Sequence, residues 1–241
     1  MTARHIVALG GGGFSMEPEN PFLDDFILEL SGKRRPKIVF LATASGDADG
    51  YIERFYKAMP QRRCQASHLS LFKRTIVDST AFLLRHDVIY VGGGNTANML
   101  AIWRVHGVDR ALRTAWRQGV VLAGISAGAN CWFEASSTDS FGPLSVLRDG
   151  LGLLPGSVCP HYDGEKNRRP TFHRFVASNQ LPGGYALDDG AAVHFVGRRL
   201  AEAVSSRPQA KAYRVFSHKR RVVEEVITTR FLGVASSAAV R

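Results

Sequence analysis

The stretch Val120-Val-Leu-Ala-Gly-Ile-Ser-Ala-Gly-Ala-Asn130 decides how the chain is read. An apolar run ends in glycine, one serine follows, and small residues lead on into a helix. Within it, Gly124-Ile125-Ser126-Ala127-Gly128 fits G-x-S-x-G, a serine held on a sharp strand-to-helix turn. The reason is steric: such a turn strains the backbone at the serine, so its neighbours must be small. The helix start beside the serine supplies free backbone N–H groups and the positive end of a dipole. The N–H of Ala127 is then placed to donate to an oxyanion. The plain alternative is a tight turn that contains a serine by chance.

Outward from this turn, apolar runs and helical spacings alternate. Runs at 5–9, 37–41, 67–72, 87–91 and 120–125 read as strands. Segments 21–30, 51–59, 96–105, 108–117 and 127–133 read as helices. The strands show no polar alternation, so both faces of their sheet should be covered. The expected fold is therefore α/β, a three-layer α/β/α sandwich with a mostly parallel sheet. Beyond Pro155 the pattern weakens to a helix at 169–177, strands at 184–187 and 191–196, and a hairpin over 210–229 around His218. No repeat or linker interrupts the chain. One domain over 1–241 is expected, with 235–241 as a loose end.

A second glycine turn, Gly92-Gly93-Gly94-Asn95-Thr96, follows the run at 87–91. The N–H of Gly94 paired with that of Ala127 would make a two-donor oxyanion hole, each donor worth on the order of 3 kcal/mol. The same turn also satisfies G-x-G-x-x-A through Gly92, Gly94 and Ala97, which would suit a nucleotide-binding module. Against this, it is not the first strand-to-helix turn, and no acid ends a following strand about 20 residues on. Serine needs a base. His161, in Val158-Cys-Pro-His-Tyr-Asp-Gly164, stands where an apolar stretch gives way to a polar loop. His194 lies inside an apolar strand and reads as a packed histidine, although an esterase of the α/β-hydrolase type would use it with Asp163 or Asp189. The acid that orients the base is open among Glu134, Asp139, Asp163, Asp188 and Asp189.

The 241 residues are 45% hydrophobic and 22% charged, which excludes a disordered tail or a disulfide scaffold. No run approaches the ~18 apolar residues of a membrane span, and the N-terminus does not read as a signal peptide. Cys64, Cys131 and Cys159 are an odd count without metal-ligand spacing, which favours free thiols in the cytoplasm. The net charge of +10 is dispersed in short runs, the densest near 33–35, 168–169 and 218–221. It carries no nucleic-acid signature, and no nucleic-acid or membrane partner is expected.

The segments VGGGNTANML, GISAGANCWF, CPHYDGEKNRR and ALDDGAAV together resemble peptidase E (aspartyl dipeptidase) and its relatives, which include cyanophycinases. The resemblance runs from about Gly10 to Val196. It implies a fold similar to class I glutamine amidotransferase domains and a serine peptidase that works without metal or cofactor. By motif, Ser126 would be the nucleophile, His161 the base and Gly94 the second oxyanion donor. Asp189 stands where the family commonly has glutamate, one methylene shorter. Asn95 and Asp139 take supporting positions. Arg168 and Arg169 stand where basic residues would read the N-terminal aspartate that peptidase E prefers. Segment 165–170 is shorter than in the aspartate-specific type, so the expected substrates are small peptides or isopeptides. A homodimer is the expected assembly.

Overall fold

The structure is a computed structural model that describes residues 3–219 and 221–233. Its strands are β1 (His5–Leu9), β2 (Lys37–Leu41), β3 (Gln65–Leu69), β4 (Val88–Val91) and β5 (Val121–Ile125), then β6 (Phe133–Thr138), β7 (Ser145–Leu147), β8 (Leu154–Cys159) and β9 (Gly184–Leu187), and finally β10 (Ala191–Val196), β11 (Arg199–Ser205), β12 (Ala212–His218), β13 (Arg221–Ile227) and β14 (Thr229–Phe231).

Eight of them form the main sheet, in the order β14-β11-β10-β1-β5-β4-β2-β3. Its pairings are parallel except at β1–β10 and β10–β11. Successive side chains of one strand point to opposite faces, and here both faces are buried. Ile6, Val39, Ile89 and Leu122 enter one apolar cluster, while their neighbours Val7, Phe40, Tyr90 and Val121 enter another. Helices Thr96–His106 and Val108–Arg117 cover the first face through Met99, Trp103, Leu112 and Trp116. Helices Phe22–Glu29 and Asp49–Ala58 cover the second through Leu23, Ile27, Ile52 and Phe55. This is the three-layer arrangement that the uninterrupted apolar runs predict.

A second sheet, in the order β13-β12-β9-β8-β6-β7, mixes parallel and antiparallel pairs. Sequence reading finds only parts of it. The helix expected over 127–133 stops at Asn130. Beyond it the carbonyls of Cys131 and Trp132 accept from the N–H groups of Leu151 and Leu154, at 2.8 and 2.9 Å, and the chain turns into β6 instead. The strand expected over 67–72 lies at Gln65–Leu69, in register with β2. It ends where the Asp47 carboxylate accepts the N–H groups of Leu71 and Phe72 at 2.6 and 3.0 Å. The strands expected at 184–187 and 191–196 are β9 and β10, but they belong to different sheets. The expected hairpin is β12–β13, paired out to His218 and Arg221. The expected loose end at 235–241 lies outside the described residues.

Candidate active site

The parallel strands β1, β4 and β5 end side by side, and their carboxyl ends carry the glycine turns and Ser126. Ser126 has φ 55° and ψ −110°, a conformation that a residue with a side chain adopts only under strain. The two glycines of its motif make this geometry possible. A Cβ on Gly124 would lie 2.3 Å from the Gly128 carbonyl oxygen, and one on Gly128 would lie 2.3 Å from that of Val91. The turn is tied down by the Ser126 N–H donating to Leu9 O at 3.1 Å and the Asn130 N–H donating to Ser126 O at 2.9 Å.

The glycine turn after β4 is committed donor by donor. The Gly92 N–H donates to Leu41 O, that of Gly93 to the Tyr51 hydroxyl, and that of Asn95 to Ala44 O. The N–H of Gly94 has no acceptor among the described residues, and neither does that of Ala127. Gly94 has φ +135°, and a Cβ there would lie 2.2 Å from the Ala44 oxygen, so only glycine fits. Gly93 faces the serine: a Cβ on it would stand 3.9 Å from Ser126 Oγ. The Asn95 side chain caps the following helix by accepting from Asn98 N, and donates to Ser140 O at 2.9 Å. With the N–H groups of Gly92, Gly93 and Asn95 spent on the protein, the glycine run lacks the open cradle that a nucleotide phosphate needs.

His161 follows β8, again with positive φ, and its N–H donates to Gly10 O at 3.2 Å. Its Nδ1 lies 2.6 Å from Asp189 Oδ1. A carboxylate only accepts, so Nδ1 carries the proton and Nε2 is left as the basic nitrogen. The two side chains are 15% and 12% exposed. Asp189 is wedged between glycines: Cβ atoms on Gly11 and Gly164 would come within 2.0 and 2.3 Å of its two oxygens. Its N–H donates to Asp163 Oδ1 at 2.7 Å. Gly11 and Gly164 were not singled out from the sequence. The signal was present in the glycine run that ends β1, but only the fold shows what the run surrounds.

Ser126, His161, Gly94 and Asn95 open into one cleft of about 350 Å³, whose remaining wall is Asp139, Ser140, Glu165 and Arg168. Arg169, expected beside the substrate, does not line this cleft. It pairs with Glu224 and lies over the rings of Tyr162 and Tyr213, 5.3 and 5.4 Å from their centres. His194 does not line it either. Its Nε2 sits 2.9 Å from His5 Nδ1, and its ring meets Phe26 edge-on. Of the other acids, Asp188 takes the Lys211 N–H at 2.9 Å, and burial pushes its carboxyl up to about 6. Glu134 takes the Gly156 N–H.

A strained serine on a strand-to-helix turn, with a histidine–carboxylate pair on the same cleft, is an arrangement of serine hydrolases on α/β folds. Residues 6–203 match the model of peptidase family S51, and the chain belongs to that family of serine peptidases. The chain is 54% identical over 230 residues to the uncharacterized peptidase YgaJ of Bacillus subtilis (strain 168), spanning 95% of this chain and 100% of that one. It is 27% identical over 189 residues to peptidase E of Pasteurella multocida (strain Pm70), spanning 74% and 78% of the two chains. The fold is similar to that of the crystal structure of a peptidase from an acI-B1 actinobacterium, with a TM-score of 0.67 and 17% identity over 94% of this chain and 95% of that one. Among the described residues, no helix is long and apolar enough to cross a membrane.

Proposed function

We propose that Ser126, His161 and Asp189 act together to hydrolyse small peptides through an acyl-enzyme. The observation that carries this reading is the 2.6 Å contact between His161 and Asp189 beside a cleft that Ser126 also lines. Ser126 Oγ attacks the scissile carbonyl and passes its proton to His161 Nε2. The free N–H groups of Gly94 and Ala127 hold the oxyanion. His161 then protonates the leaving amine, and water releases the acyl group by the reverse route. Asp189 holds the imidazole in the working tautomer and stabilises its charged form. Asn95 supports the site by latching the loop at Ser140 to the helix start.

The test is a panel of dipeptides and isopeptides scored by amine release. Ser126→Ala is expected to lower kcat on the order of a millionfold, and Asp189→Asn by about ten-thousandfold, each with an unchanged circular dichroism spectrum. His161→Ala should match the serine variant. Activity that survives Ser126→Ala would overturn the reading. If His194→Ala were fatal and His161→Ala mild, the base would be the other histidine.

Three buried free cysteines suit a reducing compartment, and we assign the enzyme to the cytoplasm on that ground. We take the chain as one domain, because a single apolar cluster draws Leu122 and Phe195 from the main sheet together with Phe133 and Leu154 from the second. The assembly we expect is a homodimer, to be checked by its mass in solution.

A further inference from the structure

The charged side chains around Ser126 carry information about which peptides enter. Arg168 is only 3% exposed. Its Nε and Nη2 donate to the two oxygens of Glu165 at 2.7 and 3.2 Å, and its Nη1 to Ser137 O at 3.4 Å. Its Nη2 also lies 3.5 Å from Asp139 Oδ2. A buried guanidinium held this way cannot turn to a substrate carboxylate without giving up its fork on Glu165 and leaving that charge unmatched. The two acids are in the opposite situation. The side chains of Glu165 and Asp139 are 48% and 59% exposed, so both present carboxylate to whatever enters. Two carboxylates against one guanidinium leave this wall net negative, although the whole chain is +10.

We propose that the cleft selects against peptides with an acidic first residue and favours those with a basic one, Arg168 serving to brace Glu165 and not to read a substrate carboxylate. This rests on Ser126 being the nucleophile, and it names the substrate class for that site. The first residue of a dipeptide is the acyl part, so its side chain and its α-ammonium must both lie beside Ser126 when the carbonyl is attacked. A cleft lined by one sign of charge concentrates the opposite sign and repels its own. Lysine or arginine at that position brings two positive charges to Asp139 and Glu165. Aspartate or glutamate brings a carboxylate that finds no free cation on this wall.

The experiment compares kcat/KM for Lys-Leu, Ala-Leu and Asp-Leu with the full-length enzyme at low and high salt. The expected order is Lys-Leu, then Ala-Leu, then Asp-Leu, with Asp-Leu about tenfold or more below Ala-Leu at low salt and the gap narrowing as salt screens the wall. Glu165→Gln frees the guanidinium and removes one negative charge. It should raise the Asp-Leu to Ala-Leu ratio about fivefold or more, a gain that a merely structural role would not produce. Asp139→Asn, at an exposed side chain, should move the ratio the same way and serves if the Glu165 variant fails to fold. Cleavage of Asp-Leu as fast as Ala-Leu, or a ratio that neither variant moves, overturns the proposal and leaves the peptidase reading standing. Failure to cleave any of the three overturns both.

Discussion

Asp189 shows what single residues decide here and what a linear reading can miss. Five acids were open as partners of the histidine, and spacing could not choose among them. The choice depends on Gly11 and Gly164, whose missing side chains leave room for the Asp189 carboxylate. One of the two lies at the far end of the chain, so their meeting is a property of the fold. Ser126 was legible because the two glycines that let its turn close, Gly124 against Gly128 and Gly128 against Val91, lie within two residues of it in the chain. Asp24 is a buried residue that the sequence pattern hides inside a helix. Its Oδ1 and the Tyr90 hydroxyl are both buried without a partner among the described residues. Burial pushes the Asp24 carboxyl up from its ordinary 3.8 to about 7, with Arg63 pulling the other way. Between those values the folded chain holds a proton that the unfolded chain has lost. Stability from this group is therefore highest in acid and falls as pH rises from about 4 to about 7. Asp24→Asn should raise Tm at pH 8 by roughly 5 °C, about 2 kcal/mol for a chain of this length. It should leave Tm nearly unchanged at pH 4. Parallel melting curves of the two proteins across that range would show that the buried carboxyl is not responsible.

At the scale of elements, strands buried on both faces were easy to find and the second sheet was not. β2 reads Lys-Ile-Val-Phe-Leu and is buried from its second residue on. β6 reads Phe-Glu-Ala-Ser-Ser-Thr and buries its serines, and β8 includes Pro155 and Gly156. Such runs resemble loops until a neighbouring strand pairs with them. The junction of β5 with its helix gives a prediction at this scale. Gly128→Ala puts a methyl group against the Val91 carbonyl, so β4 and the glycine turn that follows it must shift. The expected cost is about 2–3 kcal/mol in denaturant unfolding, with most of the peptidase activity lost. Gly50 is the control. It is an exposed position in the first turn of the helix Asp49–Ala58 with nothing near its Cβ position, so Gly50→Ala should stabilise by roughly 0.5 kcal/mol and leave kcat unchanged. Equal effects at the two sites would remove steric closeness as the explanation.

For the whole molecule, the main point is where the site lies. Ser126 ends a strand of the main sheet, His161 follows β8 of the second sheet, and Asp189 lies where the chain passes from β9 to β10, from one sheet to the other. The sheets are joined by an aromatic trio, with Phe195 meeting Phe133 and Tyr185 at 5.9 and 5.3 Å between ring centres. Phe195→Ala should cost about 3–5 kcal/mol by opening a void there. It should also lower kcat well below the unfolding range, because it loosens the two sheets against each other. A destabilised variant with wild-type kcat would show that the sheets keep their alignment without the ring.

On the proposed roles, a site drawn from separate sheets also stays unassembled while the chain is being made. The serine leaves the ribosome long before its partners, and a fragment that stops short of residue 189 lacks the carboxylate entirely. On the proposed roles, hydrolysis begins only after most of the polypeptide has emerged and both layers have docked, so half-made copies are harmless to the peptides around them.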